Sequence, residues 1–460
     1  MPQNISLSRR LADFAVSLDT GSLPPEVVEK ARACLLNGYG MALGSHMTPY
    51  APVARAAALS MDGLVQAGGA TLLGDGRKTT IAGAALANSA LFHGRAQEDT
   101  CGAAHLGAIM IPLLTAMIEA RGWPVERLIP ALVAGYEVGG LLESAYSQKT
   151  TPSGLRASPL YGVIAAAAAA SRLMGLPADR TAAAISNAAS FAGGILQSFD
   201  DGTDEWRYQV GAAGRQGLVA AELAKAGSVS APQAFEGRNG FVRAFTRDNC
   251  DVDALAARLG NEWSVHRVTF KPFPVCAFNQ TPVTAGLILR EQIAGRDIEA
   301  VRVRMNPFET GYAGMDSKGP FNSVSGTLMS IPFCMANTLI NGVPSMAAMT
   351  TYSDPEITQM IEKIDLLPDA GVPRLCSVIE LDLKDGTRLV QEQTMTAADY
   401  SYSRDRVSDL VRRIGAESGL PGSIYDRLER FVEQPERAGI EAVLACFAEL
   451  PSLAQEAVSA

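Results

Sequence analysis

At 460 residues, with 47% apolar and 19% charged side chains, the chain has enough apolar mass for about two to three globular domains. A formal net charge of −9, with no basic stripe along the sequence, excludes a nucleic-acid partner. Plentiful Ala and Gly beside only 6% aromatics favour closely packed helices over a β-sandwich. The seven cysteines are scattered and never spaced as CxxC, which predicts reduced thiols in a cytoplasmic protein. The opening MPQNISLSRRLADF lacks a signal-peptide apolar region, and the most apolar run, 161–170, is too short to cross a bilayer, so no membrane partner is expected.

In chain order, Ile5, Leu7, Leu11, Phe14 and Leu18 fall at near-helical spacing and predict a first amphipathic helix. Pro24-Pro25 marks the start of a second helix, and the Ala-rich segment 51–61 predicts a third. Glycines 68, 69, 74 and 76 punctuate a turn-rich region. Helices are then predicted at 82–96, 107–120, 126–146, 161–175, 178–190, 210–226 and 252–260. The two richest in Ala and Gly, 161–175 and 210–226, should pack at the centre, because small side chains let backbones approach.

The pattern changes after Trp263. Lys271-Pro272-Phe273-Pro274 cannot continue a helix and reads as a domain crossing. Val301, Val303 and Met305 alternate with arginines as in a half-buried strand. Val378–Leu383, then Lys384-Asp385-Gly386, then Thr387–Val390 reads as a hairpin turning at Asp-Gly. With helices predicted at 327–341 and 354–364, residues 269–402 form an α+β unit. Residues 403–460 return to helical periodicity and rejoin the body of 1–268. The fold class expected is mainly α with an inserted α+β domain.

The stretch 88–112, NSALFHGRAQEDTCGAAHLGAIMIP, holds two of the four histidines, His93 and His105, with Arg95, Glu98 and Asp99 between them. Acid, base and cation within thirteen residues suit proton transfer. His105 stands before an apolar helix, where free N–H groups favour anions. Cys101 and His105 share i,i+4 spacing, but no second pair joins them, so a zinc site is not expected. Arg156, entering the Ala-rich helix, could clamp a carboxylate. Arg207 and Trp206 stand out from an acidic loop. Lys271, beside stiff prolines, would be fixed and partly desolvated, as suits a base. Tyr136-Glu137 reads equally as a buried structural pair. P-loop, GxGxxG, GxSxG and HExxH signatures are lacking, which leaves cofactor-free, metal-free acid–base chemistry on a small anion, or binding alone.

Several blocks in order carry a family resemblance: Asn88, His93, Asp99-Thr100 and His105; Gly135-Tyr136-Glu137-Val138; Leu173-Met174-Gly175-Leu176; Gly211-Ala212-Ala213 followed by Gly217-Leu218-Val219-Ala220-Ala221; Phe235-Glu236-Gly237; and Lys271-Pro272-Phe273-Pro274-Val275-Cys276. Over nearly its whole length the chain resembles the MmgE/PrpD family. The resemblance implies a large helical domain built from both chain ends, an α+β lid between them, a homodimer, and metal-independent chemistry beside a carboxylate of a di- or tricarboxylic acid.

It also places Asp99, His105 and Lys271 on the family's active-site motifs. Departures accompany these matches. Ala96 stands where the motif has an aspartate, and Arg156 where it has a histidine. Trp206-Arg207 falls near a family lysine, while Cys276 and Gln280 replace histidines of the lid. The expectation is therefore a lyase, first of the 2-methylcitrate dehydratase type. Epimerisation, as of iminodisuccinate, cis-aconitate decarboxylation, or a non-catalytic carboxylate-binding role are the alternatives. Asp99, His105 and Lys271 are the expected catalytic residues, with Arg156, Arg207, Tyr136, Cys276, Gln280 and His93 around the substrate.

Overall fold

The computed structural model describes residues 5–450. Two large hydrophobic cores organise them, beside two small alanine-rich clusters. The larger gathers side chains from 7–270 and again from 402–450, and the smaller gathers those of 273–383 together with Ala96, Leu196, Phe199 and Trp206. The fold is mainly α, with a smaller α+β region inserted in the chain.

The helical body is organised around the Ala- and Gly-rich helices Ala157–Met174 and Glu205–Ala226, which pack against each other. A Cβ at Gly217 would lie 2.9 Å from the carbonyl oxygen of Val163, and one at Gly139 would lie 2.6 Å from the Ala165 methyl. Such backbone approach is open only to glycine. Leu106–Arg121 and Leu128–Thr150 are buried nearly all round, consistent with their lack of a polar face. The stretch 125–153 is long and apolar enough to cross a membrane, and here most of it is buried inside the protein. Near the C-terminus, Arg404–Glu417 and Gly422–Glu433 pack on Pro25–Gly44, returning the chain to the body.

The inserted region carries a four-stranded sheet in the order 364–368, 298–305, 377–383, 388–393. The hairpin turns at Asp385-Gly386 as the sequence predicts, with Asp382 opposite Arg388. Ile364–Pro368 was not anticipated. It lies parallel to Ile298–Met305, with Val301 opposite Ile364. Its edge position leaves it largely exposed, so it lacks the apolar alternation that betrays a strand.

Three further differences follow, the first two of which shape the site. The predicted helix 82–96 ends at Phe92, and the chain then turns through Ala96, which adopts a left-handed φ of 55°. The predicted helix 210–226 begins five residues earlier, at Glu205, so Trp206 and Arg207 are helical rather than in a loop. The predicted helix 252–260 shortens to Val252–Ala256.

Candidate active site

A short antiparallel pair builds the site. Thr100-Cys101 pairs with Val268-Thr269 across the body, and the two threonine hydroxyls meet at 2.8 Å. The pairing carries Lys271, two residues beyond, against the 93–105 turn. Gln97 Nε2 adds a bond to the Pro272 carbonyl at 2.8 Å. Glu137 accepts from the Ser264 and Val265 amides at 2.8 and 2.9 Å, fixing the approach to this strand. His105 is positioned as the N-cap of Leu106–Arg121, its amide donating to Ser158 Oγ at 3.1 Å.

Glu98 stands at the centre. Its Oε1 lies 2.7 Å from His105 Nδ1, 2.9 Å from His93 Nδ1 and 3.2 Å from Lys271 Nζ. The His93 contact has the distance of an ion pair but lies outside hydrogen-bonding alignment. Lys271 also donates to the Ala96 carbonyl. Burial would push the Glu98 carboxyl up, but the neighbouring His93, Lys271 and His105 outweigh it and hold Glu98 well below the usual carboxylate range.

The histidine tautomers follow from their partners. Arg156 Nη2 lies 2.8 Å from His93 Nε2, and a guanidinium can only donate, so His93 carries its proton on Nδ1. His105 Nδ1 also lies 3.2 Å from the Asp99 carbonyl oxygen, which can only accept. His105 is therefore protonated on Nδ1, and Nε2 is the basic nitrogen of a ring that lines the cavity. Burial, then the Lys271 charge, lowers the His105 pKa, so the ring is neutral near pH 7. Burial lowers that of His93 much further.

His93, Glu98 and His105 could offer three metal-ligand atoms within 4.8 Å of one another. The residues present do not suit a cation. His93 Nδ1 bears a proton, and Lys271 already faces the carboxylate oxygen that would have to ligate. The cluster is an acid–base set held by close ion-pair contacts and by the Lys271 bond to Glu98. Cys101 is turned away toward the Ser264 carbonyl.

The cavity beside this cluster is walled on the body side by His93, Ala96, Thr100, His105, Phe199 and Trp206. Facing them are Lys271, Cys276, Phe278, Tyr312, Leu328, Met329 and Arg374. His105, Lys271, His93 and Cys276 thus come together at one cavity. Cys276 is fixed there by its amide bond to the Leu328 carbonyl at 3.0 Å, and burial keeps its thiol protonated.

The remaining sequence-predicted residues lie behind the walls. Asp99 is fully buried, and its Oδ2 accepts from Tyr136 at 2.7 Å. Burial raises its pKa to about 6 against the opposing Tyr136 bond. Arg156 donates to the Trp206 carbonyl, to Gln209 Oε1 at 3.1 Å and to His93. Arg207 is sandwiched between the rings of Tyr50 and Trp206, at 3.8 and 3.9 Å. Gln280 staples the turn at 273–276, accepting from the Phe273 amide at 3.1 Å and donating to the Phe273 and Val275 carbonyls at 3.0 Å.

Residues that sequence reasoning did not assign are Glu98, Thr100, Phe199, Tyr312, Phe278 and Arg374. Glu98 had a signal, an acid midway between two histidines. The aromatic residues had none, since their neighbours in the cavity are remote in sequence.

Comparison with known proteins agrees with this organisation. The MmgE/PrpD N-terminal domain matches residues 9–252, and the MmgE/PrpD C-terminal domain matches 273–409. The chain is 29% identical over 283 residues to the cis-aconitate decarboxylase-like protein oryM of Aspergillus oryzae, spanning 58% of each chain. It is 24% identical over 388 residues to cis-aconitate decarboxylase of Aspergillus terreus, covering 78% of this chain and 77% of that one. To the 2-methylcitrate dehydratase-like protein oryR of Aspergillus oryzae it is 24% identical over 382 residues, 72% of this chain and 75% of that one. With both domain models matched in order on either side of the Lys271 crossing, the chain belongs to the MmgE/PrpD family.

Proposed function

We propose that the protein is a lyase that forms and collapses a carbanion beside a carboxylate, eliminating water from a hydroxylated acid. The observation carrying this reading is the His105–Glu98 pair. The carboxylate lies 2.7 Å from Nδ1, whose proton the Asp99 carbonyl accepts at 3.2 Å, so Nε2 is free to take a proton from carbon. Lys271, fixed beside the same cavity, stabilises the enediolate as charge moves onto the substrate carboxylate. The C–H electron pair becomes the new C=C bond and the C–O bond breaks. His105 returns its proton to the departing hydroxide, so one base serves both steps and water is the only by-product. Relatives named as decarboxylases and dehydratases support the lyase class. The working form in this proposal is a homodimer.

A second reading is epimerisation. Cys276, on the segment that opens the lid, and His105, on the body, reach the same cavity from different parts of the molecule. A proton removed by one and delivered by the other would invert a carbon. Incubation with hydroxy acids in D2O, followed by NMR, decides between them. A new alkene is expected. Deuterium incorporated with inversion and without alkene would replace the first reading by the second, and the absence of any exchange would remove both.

A further inference from the structure

The cavity is unequal in its two chemistries. Trp206, Phe199, Tyr312 and Phe278 stand in a row along it, tilted or T-shaped to one another, with ring centroids 5.4, 6.0 and 5.3 Å apart in succession. Leu328 and Met329 extend the apolar wall. Phe278 then meets Phe308 at 6.1 Å, and the Arg374 guanidinium lies over that last ring at 4.2 Å. Arg374 is exposed, and makes no hydrogen bond or ion pair among the described residues. It borders both the reaction cavity and the adjoining cleft that holds Arg267 and Tyr400.

Cations able to meet a substrate in this cavity are correspondingly few. Arg156 and Arg207 are not among its lining residues, and both are engaged elsewhere. Lys271 and Arg374 are the lysine and arginine that line it. Lys271 is already shared with Glu98 at 3.2 Å, so the positive charge left to the lining suits a single carboxylate. A second or third would meet neutral groups alone, the hydroxyls of Thr100 and Tyr312 and otherwise aromatic carbon and thioether, a placement disfavoured for an ionised group.

Resting on the carbanion reading above, we propose that the substrate is an acid with one carboxylate at the reacting end and an apolar alkyl or aryl substituent along the aromatic wall. Arg374 is the residue that brings the carboxylate to Lys271 and His105. This departs from the di- or tricarboxylate expected from the sequence, because the two arginines that would have held the extra carboxylates lie behind the lining residues, Arg156 bonded to His93 and Arg207 stacked on Trp206. Phe278, only partly buried, lines both this cavity and the adjoining cleft.

The test is a set of 3-hydroxy acids offered in D2O to the full-length protein: 3-hydroxy-3-phenylpropionate and 3-hydroxyheptanoate against malate and citrate. The aryl and alkyl acids should react with kcat/KM at least about tenfold above the polyanions. Phe278→Arg should move the ratio toward malate by at least about tenfold, and Arg374→Ala should raise KM for the aryl acid while leaving the pH profile in place. Preference of the wild type for malate or citrate, or a ratio unmoved by Phe278→Arg, overturns the proposal. If no acid exchanges deuterium, the carbanion reading falls, and calorimetric binding decides the substrate class separately. Tighter binding of 3-hydroxy-3-phenylpropionate sustains it, and equal or tighter binding of citrate overturns it.

Discussion

Arg156 lies with Nη2 2.8 Å from Nε2 of His93, and this contact fixes the proton of the imidazole on the side that faces Glu98. A residue placed to grip substrate by its sequence position instead sets the tautomer of its neighbour. Nitrogen NMR of the imidazole should show His93 as the Nδ1–H form, with no titration between about pH 6 and 8. Arg156→Met should let His93 titrate at higher pH, because a like charge that lowers its pKa is gone. The variant should also lose about 2–4 kcal/mol of stability by urea melts, since His93 and the Trp206 carbonyl are left without their donor.

His105 carries the proposed proton transfer. His105→Ala should lower kcat by about 100- to 10,000-fold while the protein still binds its acid. In the wild type, the acid limb of kcat/KM should lie below the ordinary histidine value of about 6.5, because burial and then Lys271 lower the His105 pKa. An acid limb at or above that value would remove His105 as the base.

Glu98 opposes that shift. Its charge raises the His105 pKa, so Glu98→Gln should move the acid limb to still lower pH. It should also cost roughly 100-fold in kcat through the loss of an ionised partner for Nδ1. A merely structural role for Glu98 would reduce the amount of active protein without moving the limb.

Asp99 gives a prediction about stability. Its folded-state pKa, about 6, lies above the roughly 3.9 of an unfolded aspartate. The folded state therefore binds the extra proton between these values, and the stabilisation present below pH about 3.9 is lost as pH rises through about 6. Asp99→Asn keeps a side-chain acceptor for Tyr136 and cannot titrate. The wild type should lose about 2–3 kcal/mol relative to this variant between pH 4 and 7. Taking the difference between the two proteins cancels the other buried carboxyls, Glu137 and Glu309, whose pKa values are each raised to about 7.

The helices of the body were plain in the sequence because their periodicity is local, and so was the Asp385-Gly386 hairpin, whose turn chemistry lies within a few residues. The block containing His93 and His105 could be located for the same reason. What could not be read was direction. Asp99 and Glu98 are neighbours of like chemistry, and only the left-handed turn at Ala96 and the strand pairing of Thr100 decide which carboxylate meets the histidines. Arg156 and Arg207 are likewise polar residues at helix starts, and their inward course depends on rings at positions 50, 199 and 206. Side-chain partners separated by 63 residues, as His93 and Arg156 are, leave no mark on either local pattern.

The chain leaves the helical body after Phe270 and comes back at Tyr400, and the two crossings run side by side, the Phe270 amide bonded to the Tyr400 carbonyl at 2.9 Å. Entry and exit at one point make the inserted part a cassette that could be exchanged without breaking the body's own core. Glu98, His93 and His105 would stay behind unchanged, while Lys271, Cys276, Phe278, Tyr312 and Arg374 would leave together. The proposed base and its carboxylate are thus inherited through one half of the molecule, and Lys271 with the walls proposed to choose the acid through the other, so the two can diverge at different rates.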